Sequence, residues 1–158
     1  MTKMKVEVLD RRQFVVTAGA GAAALIAGFS GVANASPEKA MELITKLTNG
    51  GAAKAMEGKI KVELPEIAEN GNTVPVKVSV ESPMTADDYV KTVHLVSEGN
   101  PGPEMASFHF TPASGKANAA ARMRLAKTQN VVGIAEMSDG KIYMSKTQVK
   151  VTIGGCGG

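Results

Sequence analysis

A single cysteine, no tryptophan, two tyrosines and two histidines in 158 residues leave few kinds of chemistry open. One thiol excludes an intrachain disulfide framework, a haem-attachment CxxCH and a multi-cysteine zinc site. Neither histidine has a carboxylate or cysteine at metal-like spacing, so the sequence proposes no metal site and no cofactor. A phosphate-binding glycine loop is missing too. Charge of one sign is equally scarce. The chain carries 18 Lys and Arg against 15 Asp and Glu, and four of those basic residues, Lys3, Lys5, Arg11 and Arg12, lie near the N-terminus. The rest is almost neutral. A body with neither clustered basic residues nor stacking aromatics is not built for nucleic acid. The length suits one domain, which core packing must hold together.

Residues 1–35 read as an export signal. Arg11-Arg12-Gln13-Phe14 opens an uncharged run through Val32, and Ala33-Asn34-Ala35 is a small-x-small cleavage site. The arginine pair resembles the twin-arginine signal, although Asp10 stands where Ser or Thr is usual. Gly19, Gly21, Gly28 and Gly31 make the run weakly hydrophobic, which suits that route for folded proteins. An uncleaved anchor competes, since about 20 apolar residues can span a bilayer. The glycines weaken insertion, so cleavage after Ala35, a periplasmic location and no stable membrane association are expected.

The mature chain then begins at Ser36, and residues 36–153 read as one domain. Ser36-Pro37 is a cap followed by proline at the first helical position, and Ala40, Leu43, Ile44 and Leu47 recur with helical spacing. Asn49-Gly50-Gly51 ends this helix. Beyond Gly58 the period becomes two. Ile60, Val62 and Leu64, then Val74, Val76, Val78 and Val80, alternate with polar residues as half-buried strands do. Asn70-Gly71-Asn72 is the turn between them, and Pro75 suggests an irregular start or a sheet edge.

Further strands are predicted over residues 89–97, 105–110, 117–126, 131–137 and 141–153. Their separators include Asn100-Pro101-Gly102-Pro103 and Asp139-Gly140, the latter a two-residue hairpin signal with positive φ at both central positions. Seven short strands at such intervals predict a mainly β, immunoglobulin-like antiparallel β-sandwich with one N-terminal helix.

The last six residues, Ile153-Gly154-Gly155-Cys156-Gly157-Gly158, carry the most information. Four glycines around one thiol make a thin arm, residues 154–158, because glycine has no Cβ and the widest backbone freedom. From Ile153 to Cys156 an extended chain reaches roughly 10 Å. Such an arm can enter a partner's cleft while the domain stays outside. No neighbour in the arm depresses the thiol pKa from its ordinary value of about 8.5, so a recipient must activate it. Ordering the arm costs about 1 to 2 kcal/mol per residue, which favours brief visits. A glycine-rich end with a stray thiol can also be an inert tail that forms disulfide dimers. In an oxidising compartment, the lone cysteine in this symmetric setting favours use.

These features together resemble one family. The tail IGGCGG, the stretches AENGNTVPVKVSVESPM (Ala68 to Met84) and ARMRLAKTQNVVGIAEMSDG (Ala121 to Gly140), and the twin-arginine leader look like the SoxY family, the sulfur-carrying subunits of bacterial thiosulfate oxidation. The likeness covers essentially the whole mature chain; its departures are Asp10 and an Ala-rich start to the Arg122/Arg124 strand.

The resemblance implies a non-enzymatic carrier with no catalytic residue of its own, whose substrate is attached covalently to Cys156. It implies pairing with a SoxZ-like β-sandwich subunit. It further implies transient contacts with a c-type cytochrome pair, a manganese-dependent sulfate-releasing hydrolase and, where present, a sulfur dehydrogenase. A thiol and thiosulfate can join only if an electron acceptor takes two electrons, and no redox group is encoded here.

Two other functions remain open from residues alone. One is a thiocarboxylate carrier of the ubiquitin-like kind, which also ends in Gly-Gly but needs ATP-dependent activation inside the cell. The other is a structural sandwich module that dimerises through a tail disulfide. Among remaining candidates, His94 and His109 read as packing or surface residues. Arg122 and Arg124 read as a solvated strand face that could steer anionic partners or a sulfonate group. Met84 reads at most as an interface contact, and Asp87-Asp88 as a cap.

Overall fold

The computed structural model describes residues 36–154; the leader at 1–35 and Gly155, Cys156, Gly157 and Gly158 lie outside the described residues. Its first element is a helix, α1 (Pro37–Leu47). The Ser36 hydroxyl accepts the Lys39 N–H at 3.3 Å, and proline occupies the first turn, where its missing donor costs nothing. The helix ends as its sequence requires: Asn49 and Gly50 are left-handed at φ 49° and 79°, and the Gly50 N–H returns to the Thr45 carbonyl at 2.8 Å.

Eight strands follow: β1 (Ile60–Glu63), β2 (Ile67–Asn70), β3 (Val74–Val80), β4 (Val90–Ser97), β5 (Glu104–His109), β6 (Ala117–Met123), β7 (Gln129–Met137) and β8 (Ile142–Ile153). They form a three-stranded sheet in the order β1-β3-β6 and a five-stranded sheet in the order β2-β8-β7-β4-β5. This is the mainly β, immunoglobulin-like sandwich with one helix that the spacing of strands and turns predicts.

The alternation in β3 works as expected, with Val74, Val76, Val78 and Val80 buried against Val93, Leu95, Val131, Ala135 and Val149 of the facing sheet. The back of the five-stranded sheet is covered as well. There Ala40 and Ile44 of α1 pack on Val96, Val132 and Ile134. A strand covered on both faces reads as an apolar run, which explains Val131-Val132-Gly133-Ile134-Ala135 in the centre of β7.

Five details differ from the expectation. Pro75 marks neither an edge nor an irregular start, because β3 is the middle strand of its sheet and pairs regularly from Val74 with Met123 and Pro75 with Arg122; the proline is tolerated where β1, which reaches only to Lys77, no longer runs alongside. The segment before Asn70 is a strand, β2, and it pairs in parallel with β8, from Ile67 with Lys150 to Asn70 with Ile153; every other strand pair is antiparallel. Only Ala68 of β2 is buried, so no alternation marks it. The strand read to residue 126 stops at Met123. The Asp139-Gly140 hairpin forms, but only Gly140 has positive φ, at 81°. Met137 N–H reaches the Lys141 carbonyl at 2.9 Å and Gly140 N–H reaches Met137 at 3.1 Å, which is a three-residue loop rather than a two-residue turn. Met84, at φ 52°, is buried in the core and is no surface contact.

Candidate functional site

Of the five arm residues, Gly154 alone lies within the described part, so the describable site is the arm's root. There β8 has outrun β7, whose last pair joins Gln129 to Val149. Other partners take over. On one side the Lys150 N–H donates to the Glu66 carbonyl at 2.9 Å, and Thr152 Oγ1 donates to the carbonyls of Ala68 and Glu69, both at 3.2 Å. The Gly71 N–H caps the Ile153 carbonyl at 2.8 Å. On the other side the Val151 N–H donates to Thr128 Oγ1 at 2.9 Å. Each such bond contributes about 0.5 to 1.5 kcal/mol net, and together they fix four consecutive residues ahead of the arm.

The loop that supplies Thr128 is itself held. Asn100 Nδ2 donates to the Arg124 carbonyl at 2.7 Å, and Asn100 Oδ1 accepts the Ala126 N–H at 2.9 Å and Gln129 Nε2 at 2.8 Å. Gln129 Oε1 in turn accepts the Gly99 N–H at 2.7 Å. The network places the Ala126 carbonyl against Gly154, where any Cβ would lie far inside contact distance of that oxygen. Glycine at 154 is therefore a packing requirement of the root as well as the first link of the arm. A fully extended chain spans at most about 7 Å over the two residues from 154 to 156, which bounds the reach available from this base.

Asn100, Ala126, Thr128, Gln129 and Thr152 escaped the sequence reading. Asn100 was legible only as turn chemistry, and the others carry no local signal because the partners that tie them into the root are 23 to 84 residues away.

The remaining candidates lie elsewhere. His94 and His109 are on β4 and β5, with His94 Nδ1 2.7 Å from Ser107 Oγ and His109 Nδ1 3.2 Å from Thr92 Oγ1. Burial, and then the charge of His109, hold the His94 pKa below its ordinary value against the pull of Glu104 and Glu136. Arg122 and Arg124 are exposed while Met123 and Leu125 point inward, the face assignment the alternation predicts, and neither is among the ion pairs of the described residues. Asp87 and Asp88 serve through their backbone: the Asp88 carbonyl accepts the Thr85 N–H at 3.0 Å, and the Asp87 carbonyl accepts Ser138 Oγ at 3.0 Å. Among the described residues no three His, Cys, Asp or Glu are grouped to hold a metal ion, and no helix is long and apolar enough to cross a membrane.

Residues 44–156 match the family described as "Sulfur oxidation protein SoxY". Among solved structures, the sulfur carrier protein SoxY from Chlorobium limicola f thiosulfatophilum is 36% identical, with a TM-score of 0.55 over 70% of this chain and 99% of that one. A superoxide reductase (neelaredoxin) from Ignicoccus hospitalis is 21% identical, with a TM-score of 0.53 over 60% of this chain and 80% of that one, and shares the fold alone. Comparison with curated proteins gives no match.

Proposed function

The chain belongs to the SoxY family of carrier proteins, and from that membership we propose that it holds thiosulfate-derived sulfur covalently on Cys156 and presents it to separate oxidation enzymes. The observation that carries this reading is the reach of the family match, which runs from residue 44 to residue 156 and so takes in the sandwich, the arm's root and the thiol together.

The chemistry divides between carrier and partners. A sulfur–sulfur bond forms between Cys156 Sγ and the outer sulfur of thiosulfate, the thiol proton is released, and two electrons pass to a c-type cytochrome pair. The product is a cysteine S-thiosulfonate. A manganese-dependent hydrolase then adds water across the bond to the sulfonate sulfur, releasing sulfate and leaving a persulfide on Cys156. A sulfur dehydrogenase, where the organism has one, oxidises that outer sulfur to a sulfonate with oxygen from three waters, passing six electrons to haem acceptors, and a final hydrolysis releases sulfate and restores the Cys156 thiol. Cys156 supplies a covalent handle, Gly154, Gly155, Gly157 and Gly158 supply a narrow arm, and the chain needs no cofactor for either task.

On this reading the working location is the periplasm, reached by the twin-arginine route with cleavage after Ala35, and the folded chain travels with a SoxZ-like subunit. The reading is tested by intact mass. Incubating the mature protein with thiosulfate and the oxidised cytochrome pair gives a thiosulfonate adduct on the Cys156 peptide, and Cys156→Ser gives none. A disulfide dimer as the sole product would refute the carrier role and leave the structural module in its place.

A further inference from the structure

The sandwich has four sheet edges, and three of them are blunted in ways that discourage a further strand. β1 is four residues long, carries the Lys61–Glu63 ion pair, and has its Val62 carbonyl occupied by Thr147 Oγ1 at 3.5 Å. β2 is also four residues long. β5 breaks register with β4 between Leu95 and Val96 and is bracketed by Pro103 and Pro112. β6 is different. It pairs residue for residue with β3 over seven positions, from Ala117 with Val80 to Met123 with Val74, without a bulge or a proline of its own. Ala119, Ala120 and Ala121 at its centre put no bulky side chain in the way of an approaching backbone.

A second feature lies beside this edge. A cleft of ≈ 280 Å³ opens there, lined by Ala121 and Met123 of β6, Met105 and Ala106 of β5 and the buried Val76 and Leu95, together with the polar Asn100, Glu104, Arg122 and Arg124. That volume accepts a large apolar side chain. Charge then narrows the choice of occupant. Lys116 precedes the strand, Arg122 lies within it and Arg124 follows it. Were two copies to pair β6 with β6 antiparallel at full overlap, the register about Ala120 would set Lys116 opposite Arg124 at both ends. Like charges placed opposite each other destabilise a strand pair.

We propose that β6 is a docking edge for a strand of a second, different β-sandwich protein with acidic residues flanking that strand. The incoming strand continues the β1-β3-β6 sheet, and one of its apolar side chains fills the cleft between β6 and β5. This deepens the pairing with a SoxZ-like subunit proposed above and rests on that reading.

Hydrogen exchange tests it directly. The mature chain is measured alone and co-purified with the SoxZ-like subunit of the same organism, and the adduct on Cys156 is read from portions of the same samples incubated with thiosulfate and the oxidised cytochrome pair. Amides within Ala117–Met123 that exchange freely in the isolated chain should slow on the order of tenfold or more in the complex. Arg122→Glu with Arg124→Glu should weaken association by about tenfold or more, chiefly at low salt, with the exchange pattern of the free chain unchanged as the folding control. Protection confined to β1, β5 or α1 overturns the docking edge, as does a self-complex protected at β6, or the absence of any complex. A missing adduct with β6 protected refutes the carrier reading instead and leaves the edge standing.

Discussion

From Ile142 to Val149, β8 is paired along one side with β7 and bridged on the other by Met56, whose N–H and carbonyl bond Ile142 and Met144 at 2.9 Å each. From Lys150 to Ile153 the same strand has lost β7 and is held by parallel β2, the Gly71 N–H and one threonine hydroxyl. Burial follows the change of partners: Val149 is 0% exposed and Ile153 68%. The first half is part of the core, whereas the second keeps only the half-buried Val151 packed against it and ends in an exposed Ile153. A carrier benefits from both. The core half resists the load of docking, and the projecting half sets where the arm starts without tying its presentation to the stability of the whole domain.

The contrast predicts its largest effect in the core half. Tyr143 is buried there, with the Lys59 ammonium 5.4 Å from its ring centre. Tyr143→Ala should cost about 3 to 5 kcal/mol through the cavity it leaves, a large part of a typical domain's 5 to 15. Urea unfolding measures it. A loss below about 1 kcal/mol would mean that this half of β8 is no more structural than the other.

Where sequence alone was sufficient, the reason was local. Ser36-Pro37 and the spacing of Ala40 and Ile44 placed α1, and four valines at alternate positions placed β3, because cap and period are properties of neighbouring residues. β2 was missed because four residues with one buried side chain have no detectable period, and its parallel pairing with β8 joins Ala68 to a position 83 residues on. The expectation of a thiol-bearing arm was legible from IGGCGG by itself. The arm's anchorage was not, since the demand for glycine at 154 comes from the Ala126 carbonyl, which Asn100 positions across another turn. Met84 misled for the opposite reason: a Ser-Pro-Met loop looks exposed, yet a left-handed backbone turns the side chain inward.

The next effect separates stability from presentation. Gly154→Ala sets a methyl group against the Ala126 oxygen, and a carbonyl held by the Asn100 network cannot yield as a flexible side chain would. The root must therefore move outward. Thermal unfolding should change by no more than about 2 °C, because few core contacts are lost. Adduct formation on Cys156 with the cytochrome pair should slow several-fold, since reacting atoms displaced by about 1 Å can cost up to a hundredfold. An unfolding loss as large as that of Tyr143→Ala would show that the root belongs to the core after all.

The smallest effect tests the projecting half at a single bond. Thr128→Val keeps the side chain's shape and removes the hydroxyl that accepts the Val151 N–H at 2.9 Å. Thr128 is exposed, so water replaces the lost acceptor and the net cost is about 1 kcal/mol. At room temperature that is about a fivefold rise in exchange of the Val151 amide, provided the strand end opens locally. Tyr143 and its neighbours should exchange as before, because their protection comes from β7 and the core. If both halves of β8 speed up together, the strand opens as one unit and the boundary at Val149 has no energetic meaning.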